Sequence, residues 1–222
     1  MQQDAIGAGS AGLFSRQLLP LTVFTLTYLA ASSLVVVWRG NAEFLLYIAV
    51  MLVLILAVVR VHRNVKLSAA LLWGMSVWGL AHMAGGLVPI PEGWPVEAGS
   101  HVLYSLWLIP DRLKYDHVVH AYGFGMTTWL CWQALREAIA SRGGAVTPTL
   151  GLMILSATAG MGFGALNELI EFAATLLIPE TNVGGYLNTG WDLVANLVGS
   201  TAAVVLIWLH GRRGHSGQQS RQ

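Results

Sequence analysis

The residues most able to do chemistry in this chain are acidic and histidine side chains inside, or at the edges of, long apolar runs. They are His82, Asp116, His120, Glu168, Glu171 and Asp192. A charged side chain at the centre of a bilayer costs at least about 2.5 kcal/mol, so residues of this kind are functional candidates. Residues 160–200 hold three of the six, and the remaining helices are expected to bring the others to them.

The spacing of these residues groups them on helix faces. Positions three or four apart share one face of an α-helix. The pairs are Asp116 with His120, Glu168 with Glu171, and Asp192 with Asn196. His117 lies off the face that Asp116 and His120 share, so we expect it to point elsewhere.

Three interpretations fit this set of residues. One is a divalent metal such as Zn, Mn or Fe, because carboxylates and imidazoles on facing helices form such sites. Its candidate ligands are His82, Asp116, His120, Glu168 and Glu171. The second is a metal-free network of carboxylates, His and Asn that shuttles protons or holds a substrate. The third is structural, with polar groups that only fix the packing. The sequence has no phosphate-binding Gly-Lys-Ser/Thr motif, no H-E-x-x-H motif and no nucleophile elbow.

Composition identifies the class of protein that holds these residues. Of the 222 residues, 55% are hydrophobic and 10% are charged, and the mean hydropathy is +0.61. Soluble domains carry about 25% charged residues, so the composition indicates an integral membrane protein. The net charge of +1 gives no case for a nucleic-acid partner. The lone cysteine, Cys131, has no partner for a disulfide within the chain.

Six apolar runs approach the roughly 20 residues that a helix needs to cross a bilayer. The predicted spans are 18–38, 44–61, 67–90, 117–140, 149–178 and 190–209. They predict an all-α polytopic membrane bundle over 18–210, with a flexible tail at 1–17 and a polar tail at 211–222. A cleaved signal peptide is the rival interpretation of the first run, which is longer than a typical signal core.

The basic residues predict the orientation of the bundle. If the N-terminus is inside, nine of the 12 basic residues fall in cytoplasmic segments: Arg16, Arg60, Arg63, Lys66, Arg136, Arg142, Arg212, Arg213 and Arg221. Arg39, Arg112 and Lys114 fall outside. The positive-inside rule therefore predicts that both termini are cytoplasmic.

Depth along the spans predicts that the polar residues meet in the outer leaflet. At about 1.5 Å per residue, Glu168 lies about 28 Å beyond Thr149 and hence near the outer end of its span. Asp116 and Asp192 lie in the first turns of spans that begin outside, and His82 lies in the outer half of its span. Glycines on the last three spans allow close packing. We therefore expect spans three to six to form one tight cluster, with the first two added on the lipid side.

The connection between the third and fourth spans is long and contains Pro91, Pro95 and Pro110. Its apolar piece at 101–107 is expected to form an interfacial or re-entrant helix that caps the outer face. His101, within this piece, is expected at the surface.

These motifs resemble two related families of membrane proteins. Tyr115-Asp116-x-x-x-His120, Glu168-x-x-Glu171 and Asp192-Leu193-x-x-Asn196-x-x-Gly199 resemble the VanZ-like proteins. Leu80-Ala81-His82-x-x-Gly85-Gly86 makes the chain more similar still to the YjdF-like inner-membrane proteins. The resemblance covers about residues 75–205. It implies a polytopic inner-membrane protein and, through the VanZ-like branch, a link with the cell envelope and glycopeptide-antibiotic resistance, but no established reaction.

One departure from the YjdF-like pattern bears on the site. Asn188 and Gly190 stand where that pattern carries another acid and a Gln before the last aspartate. If that acid is a metal ligand in the family, the site is weakened in this chain.

Two functional classes remain open from the sequence. The first is an envelope protein or enzyme that binds or processes a lipid-linked or amphipathic substrate. In it, Glu168 and Glu171 act as general base or metal ligands, and Asp116 and His120 orient them, while Asp192 completes the site. Substrate contacts are expected from Asn167 and Asn196. The second class is a non-catalytic accessory subunit of a larger membrane complex, or a small transporter.

Overall fold

A computed structural model describes residues 16–97, 101–144 and 146–219, and confirms the all-α class. Its described helices are α1 (Leu19–Arg39), α2 (Ala42–Val65), α3 (Ala69–Leu87), α4 (Tyr115–Ala140), α5 (Leu150–Leu177) and α6 (Tyr186–Gln219). Each corresponds to one apolar run of the sequence. The expected tail at 1–17 lies almost wholly outside the described residues, as do the last three residues of the tail expected at 211–222.

Local sequence signals define several helix ends. Asn41 accepts a hydrogen bond from Phe44 N (2.9 Å) and caps α2, and Thr149 accepts from Leu152 N (3.4 Å) at the start of α5. These are the short polar side chains that satisfy free N–H groups at a helix start. At the far end of the chain, α6 continues past the expected end of the last span at 209 to Gln219. The polar tail expected at 211–222 stays a prediction.

The helices that carry the polar residues pack closely. Contacts join α4, α5 and α6 to one another, α3 packs on α4, and α1 packs on α3 and α2. Gly199 of α6 lies against the backbone of Ala121 of α4, and a Cβ on Gly199 would overlap the Ala121 carbonyl oxygen. This close crossing needs glycine at position 199, because small residues at a helix interface let the two backbones approach each other.

A β-hairpin, and not a helix, caps the end of the bundle between α3 and α4. Residues 101–107 form a short 3-10 turn at Leu103–Ser105 followed by strand β1 (Trp107–Ile109), which pairs antiparallel with β2 (Leu113–Lys114). The expected interfacial or re-entrant helix at 101–107 is wrong. The piece is only seven residues long, and isolated bridges pair Val102 with Pro89 and Leu106 with Val96. Pro110 favours extended backbone at the end of β1, because the residue before a proline is disfavoured in the helical region.

Four of the described helices are long and apolar enough to cross a membrane by length and composition. They are Leu19–Arg39, Ala42–Val65, Leu150–Leu177 and Tyr186–Arg212. The helices α3 and α4 are not among these four. They carry glycines and polar residues such as His82, Asp116 and His120. The count of six spans and the cytoplasmic placement of the termini stay predictions.

Candidate functional site: a buried carboxylate and histidine cluster

The candidate site lies at one end of the bundle, where the start of α4, the last third of α5 and the start of α6 meet. Asp192 and Asn196 of α6 have no exposed surface, and His120 of α4 is 7% exposed. The glutamates of α5, Glu168 and Glu171, face the same region. Three helices therefore converge on these residues, and their depth in the outer leaflet stays a prediction.

His120 lies at the centre of this convergence. Its Nδ1 is 3.1 Å from Asn196 Oδ1, which is hydrogen-bond distance, and 3.7 Å from Glu168 Oε1. Its Nε2 is 3.6 Å from Asp116 Oδ1, one turn back on α4. Both ring nitrogens thus face acidic side chains, and the imidazole links α4 to both α5 and α6.

Two overlapping sets of side chains could each hold a metal ion among the described residues. Asp116, His120 and Asp192 form one set, and His120, Glu168 and Glu171 form the other. Within each set the candidate ligand atoms lie within 4.8 Å of one another. Sequence reasoning named every member, with Asp192 assigned to catalysis and not to metal binding.

Several buried oxygen atoms of these sets have no hydrogen-bond partner in the part of the chain that the structure describes. They are Oε1 and Oε2 of Glu168 and Oδ1 of Asp192. The Glu168 side chain is only 9% exposed. Buried polar atoms are satisfied in most proteins, so unpartnered carboxylate oxygens point to a ligand or water.

His82 lies beside the cluster but outside both sets. Its Nδ1 is 2.5 Å from the Tyr104 hydroxyl, and its ring stacks on Trp78. With Glu171 and Asn167 it lines a small cavity of about 20 Å³, which has room for about one water molecule. The role of His82 as a metal ligand stays a prediction.

Tyr104 brings the capping segment down onto the site. Its ring fills the space above Gly85 of α3, where a Cβ would overlap it. Burial, followed by the negative charges of Asp116 and Glu171, raises the pKa of Tyr104 well above its ordinary value. The hydroxyl therefore stays protonated at neutral pH and remains available to hydrogen-bond His82.

Two asparagine side chains donate hydrogen bonds to the acids of the cluster. Asn167 Nδ2 donates to Glu171 Oε1 (2.8 Å), and Asn188 Nδ2 donates to Asp192 Oδ2 (2.6 Å). Outer-shell partners of this kind orient ligands in metal sites. The sequence prediction made Asn167 a substrate contact; in the structure its amide is engaged with Glu171.

Sequence reasoning missed the roles of Lys114 and Asn188. Lys114 is 4% exposed, and its ammonium donates to Glu97 Oε2 (2.9 Å) and to Asn188 Oδ1. Asn188 precedes Asp192 by four residues, so helical spacing alone places the two on one face. Burial of Lys114 has no comparable signal, because it depends on how the capping segment folds.

His117 does not join the cluster. Its Nδ1 accepts a hydrogen bond from the Lys114 backbone N–H (3.2 Å), and its ring lies against Trp191. The structure thus agrees with the expectation that this histidine points elsewhere. Its contribution is to the start of α4, where it helps to fix the first turn.

A bundle of long apolar helices that closes around a buried set of carboxylates and a histidine defines an integral membrane protein. The chain belongs to the family described as predicted membrane protein (DUF2238), which matches residues 20–213. Comparison with curated proteins and with solved structures found no match. The family assignment therefore agrees with the membrane class and leaves the activity to be argued from the site.

Proposed function

We propose that this protein is a metal-dependent membrane protein that binds or processes a lipid-linked or amphipathic substrate at the outer face of the inner membrane. The proposal rests on the surroundings of Glu168. Its carboxylate is nine-tenths buried, and neither oxygen has a hydrogen-bond partner among the described residues. His120 and Glu171 lie close enough to share one ion with it.

A cation accounts for this arrangement better than a structural role does. An isolated buried carboxylate is costly unless it is paired or coordinates a metal. Structural polar groups in a membrane bundle would be expected to hydrogen-bond one another, as Asn188 and Asp192 do. Glu168 instead lies 3.7 Å from His120 Nδ1, beyond hydrogen-bond distance.

The donor set also fits a divalent ion. Carboxylate oxygen with imidazole nitrogen suits Zn, Mn or Fe. His120 Nδ1 lies 3.1 Å from Asn196 Oδ1, and the two ring nitrogens face Glu168 on one side and Asp116 on the other, so the imidazole lies within reach of an ion held by these acids. Such an ion would supply a Lewis acid that polarises a carbonyl or phosphoryl oxygen, or a bound water of lowered pKa.

The space beside the site supports an amphipathic substrate. An apolar groove of about 280 Å³ lies between α1, α2 and α3. Met51, Leu54 and Trp78 line both this groove and the small cavity at Glu171. An apolar chain in the groove would therefore have its polar end directed to the acidic cluster. The resemblance to VanZ-like and YjdF-like proteins supports the same setting, the cell envelope.

Metal content of the purified, detergent-solubilised protein tests the proposal. The protein is loaded with Zn²⁺ or Mn²⁺, desalted and measured by elemental analysis, beside Glu168→Gln and Glu137→Gln. Glu137 is an exposed acid near the other end of α4 and serves as the matched control. We expect bound metal in the parent and in the control, and a loss of at least tenfold in affinity in Glu168→Gln, the scale of losing one ligand or its outer-shell partner.

A folded parent that retains no metal would overturn the proposal. The accessory-subunit or transporter class would then explain the cluster better, with the acids in a metal-free network. Folding is checked independently by size-exclusion chromatography and circular dichroism, so loss of metal through unfolding is distinguished from loss of a ligand.

A further inference from the structure

We infer that the cluster holds two divalent cations, one bound by Asp116 and Asp192 and the other by Glu168 and Glu171, with His120 between them. This inference rests on the proposed function and deepens it from a metal site to a two-metal centre. Two-metal centres typically act on phosphoryl or carbonyl groups, with one ion on the attacking oxygen and the other on the leaving oxygen. The substrate class that follows is an ester, phosphate ester or amide group on an amphipathic molecule.

The acids of the cluster fall into two groups. The two sets of candidate ligands share His120 and no other residue. Asp116 approaches His120 from the Nε2 side (3.6 Å), whereas Glu168 approaches from the Nδ1 side (3.7 Å). The ring therefore lies between one acid of each set, and each set offers its own position for an ion.

Each of the two groups of acids has its own unsatisfied oxygen. On the α4–α6 side this is Oδ1 of Asp192, which has no exposed surface. On the α5 side these are both oxygens of Glu168. A single ion on one side would leave the buried oxygens of the other side without a partner in the described part of the chain.

The charges of the cluster also fit two ions. Carboxylates bind a metal as anions, so the four acids around His120 would match the charge of two divalent cations. Lys114 is paired with Glu97, and it contacts Asp192 through the amide of Asn188. With one cation, the two acids of the other side would have to take up protons to avoid an isolated buried charge.

The protein ligands leave positions open at both ions. A neutral imidazole offers one lone pair, so His120 ligates one ion, and the two carboxylates of the other side hold the second. Catalytic metal sites keep a coordination position for water or substrate, in contrast to closed structural sites. Asn196 and Asn167 then serve as positioning residues for His120 and Glu171.

Stoichiometry tests the inference. Full-length protein in detergent is titrated with Mn²⁺ and separately with Zn²⁺, and bound metal per chain is measured after desalting. We expect two ions per chain in the parent and in Glu137→Gln. Asp192→Asn and Glu171→Gln, which change charge but hardly shape, should each retain one ion, and the double variant should retain none.

A parent that binds one ion, or single variants that each lose all metal, would overturn the two-metal inference and leave the proposed function standing. A parent that binds none would overturn both. The paramagnetic resonance of the Mn²⁺-loaded parent gives an independent readout that needs no variant. Two Mn²⁺ ions beside the same imidazole should broaden or couple each other's signals, whereas Asp192→Asn should show the spectrum of an isolated ion.

Discussion

At the scale of the residue, Glu43 shows that a buried acid in this protein need not belong to the candidate site. It is 4% exposed in the first turn of α2. Its Oε2 accepts hydrogen bonds from the backbone N–H (3.0 Å) and side-chain amide (3.1 Å) of Asn182, and Tyr47 donates to Oε1 (3.3 Å). In contrast to Glu168, its hydrogen-bonding capacity is used, so Glu43 joins α2 to the link between α5 and α6.

We predict that Glu43→Ala lowers stability without removing metal. Loss of hydrogen bonds to a charged acceptor, with donors left unpaired, should reduce the free energy of unfolding by about 1 to 3 kcal/mol. The measurement is the thermal unfolding midpoint in detergent, together with metal content. Glu92→Ala, an exposed acid of the capping segment, is the control and should unfold at the parent temperature. A Glu43→Ala protein as stable as the parent would show that these hydrogen bonds make no net contribution to the free energy of unfolding.

Residue spacing predicted which acids share a face, but not which polar residues support them. Asp116 with His120 and Glu168 with Glu171 follow from helical periodicity, which is a local property. The burial of Glu43 and Lys114 depends on contacts with segments that are distant in sequence, such as Asn182 and Glu97. Periodicity within one helix carries no information about such partners, so these roles emerge only from the fold.

At the scale of the element, the crossing of α4 and α6 sets the geometry of the site. Gly199 lies on the backbone of Ala121, one residue from His120, so the distance between these helices fixes how near Asp192 and Asn196 come to His120. The sequence predicted this close packing from small residues. It did not predict the hairpin of the capping segment, because the periodicity of a short apolar run such as 101–107 does not distinguish a strand from a helix.

We predict that Gly199→Ala destabilises the bundle and weakens metal binding together. A Cβ at this position overlaps the Ala121 carbonyl oxygen, and overpacking of this kind costs about 1 to 3 kcal/mol. The readouts are the thermal midpoint and the Mn²⁺ affinity. Gly162→Ala on α5, where a Cβ meets nothing within 4 Å, is the matched control and should be neutral or slightly stabilising. Equal behaviour of the two variants would argue against a tight crossing at Gly199.

At the scale of the whole molecule, the candidate site and the capping segment lie at one end of the bundle, and the α2–α3 and α4–α5 connections lie at the other. The latter connections carry basic residues such as Arg63, Lys66 and Arg142. The positive-inside rule predicts that this end is cytoplasmic, which would leave the acidic cluster at the outer face. This orientation decides whether a substrate arrives from the outer leaflet.

We predict the orientation to be measurable with single cysteines in a Cys131→Ala background. Glu92→Cys in the capping segment should react with a membrane-impermeant maleimide in intact spheroplasts. Ser141→Cys in the α4–α5 connection should react only after the membrane is permeabilised, because both positions are exposed but lie at opposite ends of α4. The reverse pattern would place the acidic cluster at the cytoplasmic face and exclude a substrate that arrives from the outer leaflet. Labelling of both positions from outside would contradict a crossing of the bilayer between them, and the span count would then fall below six.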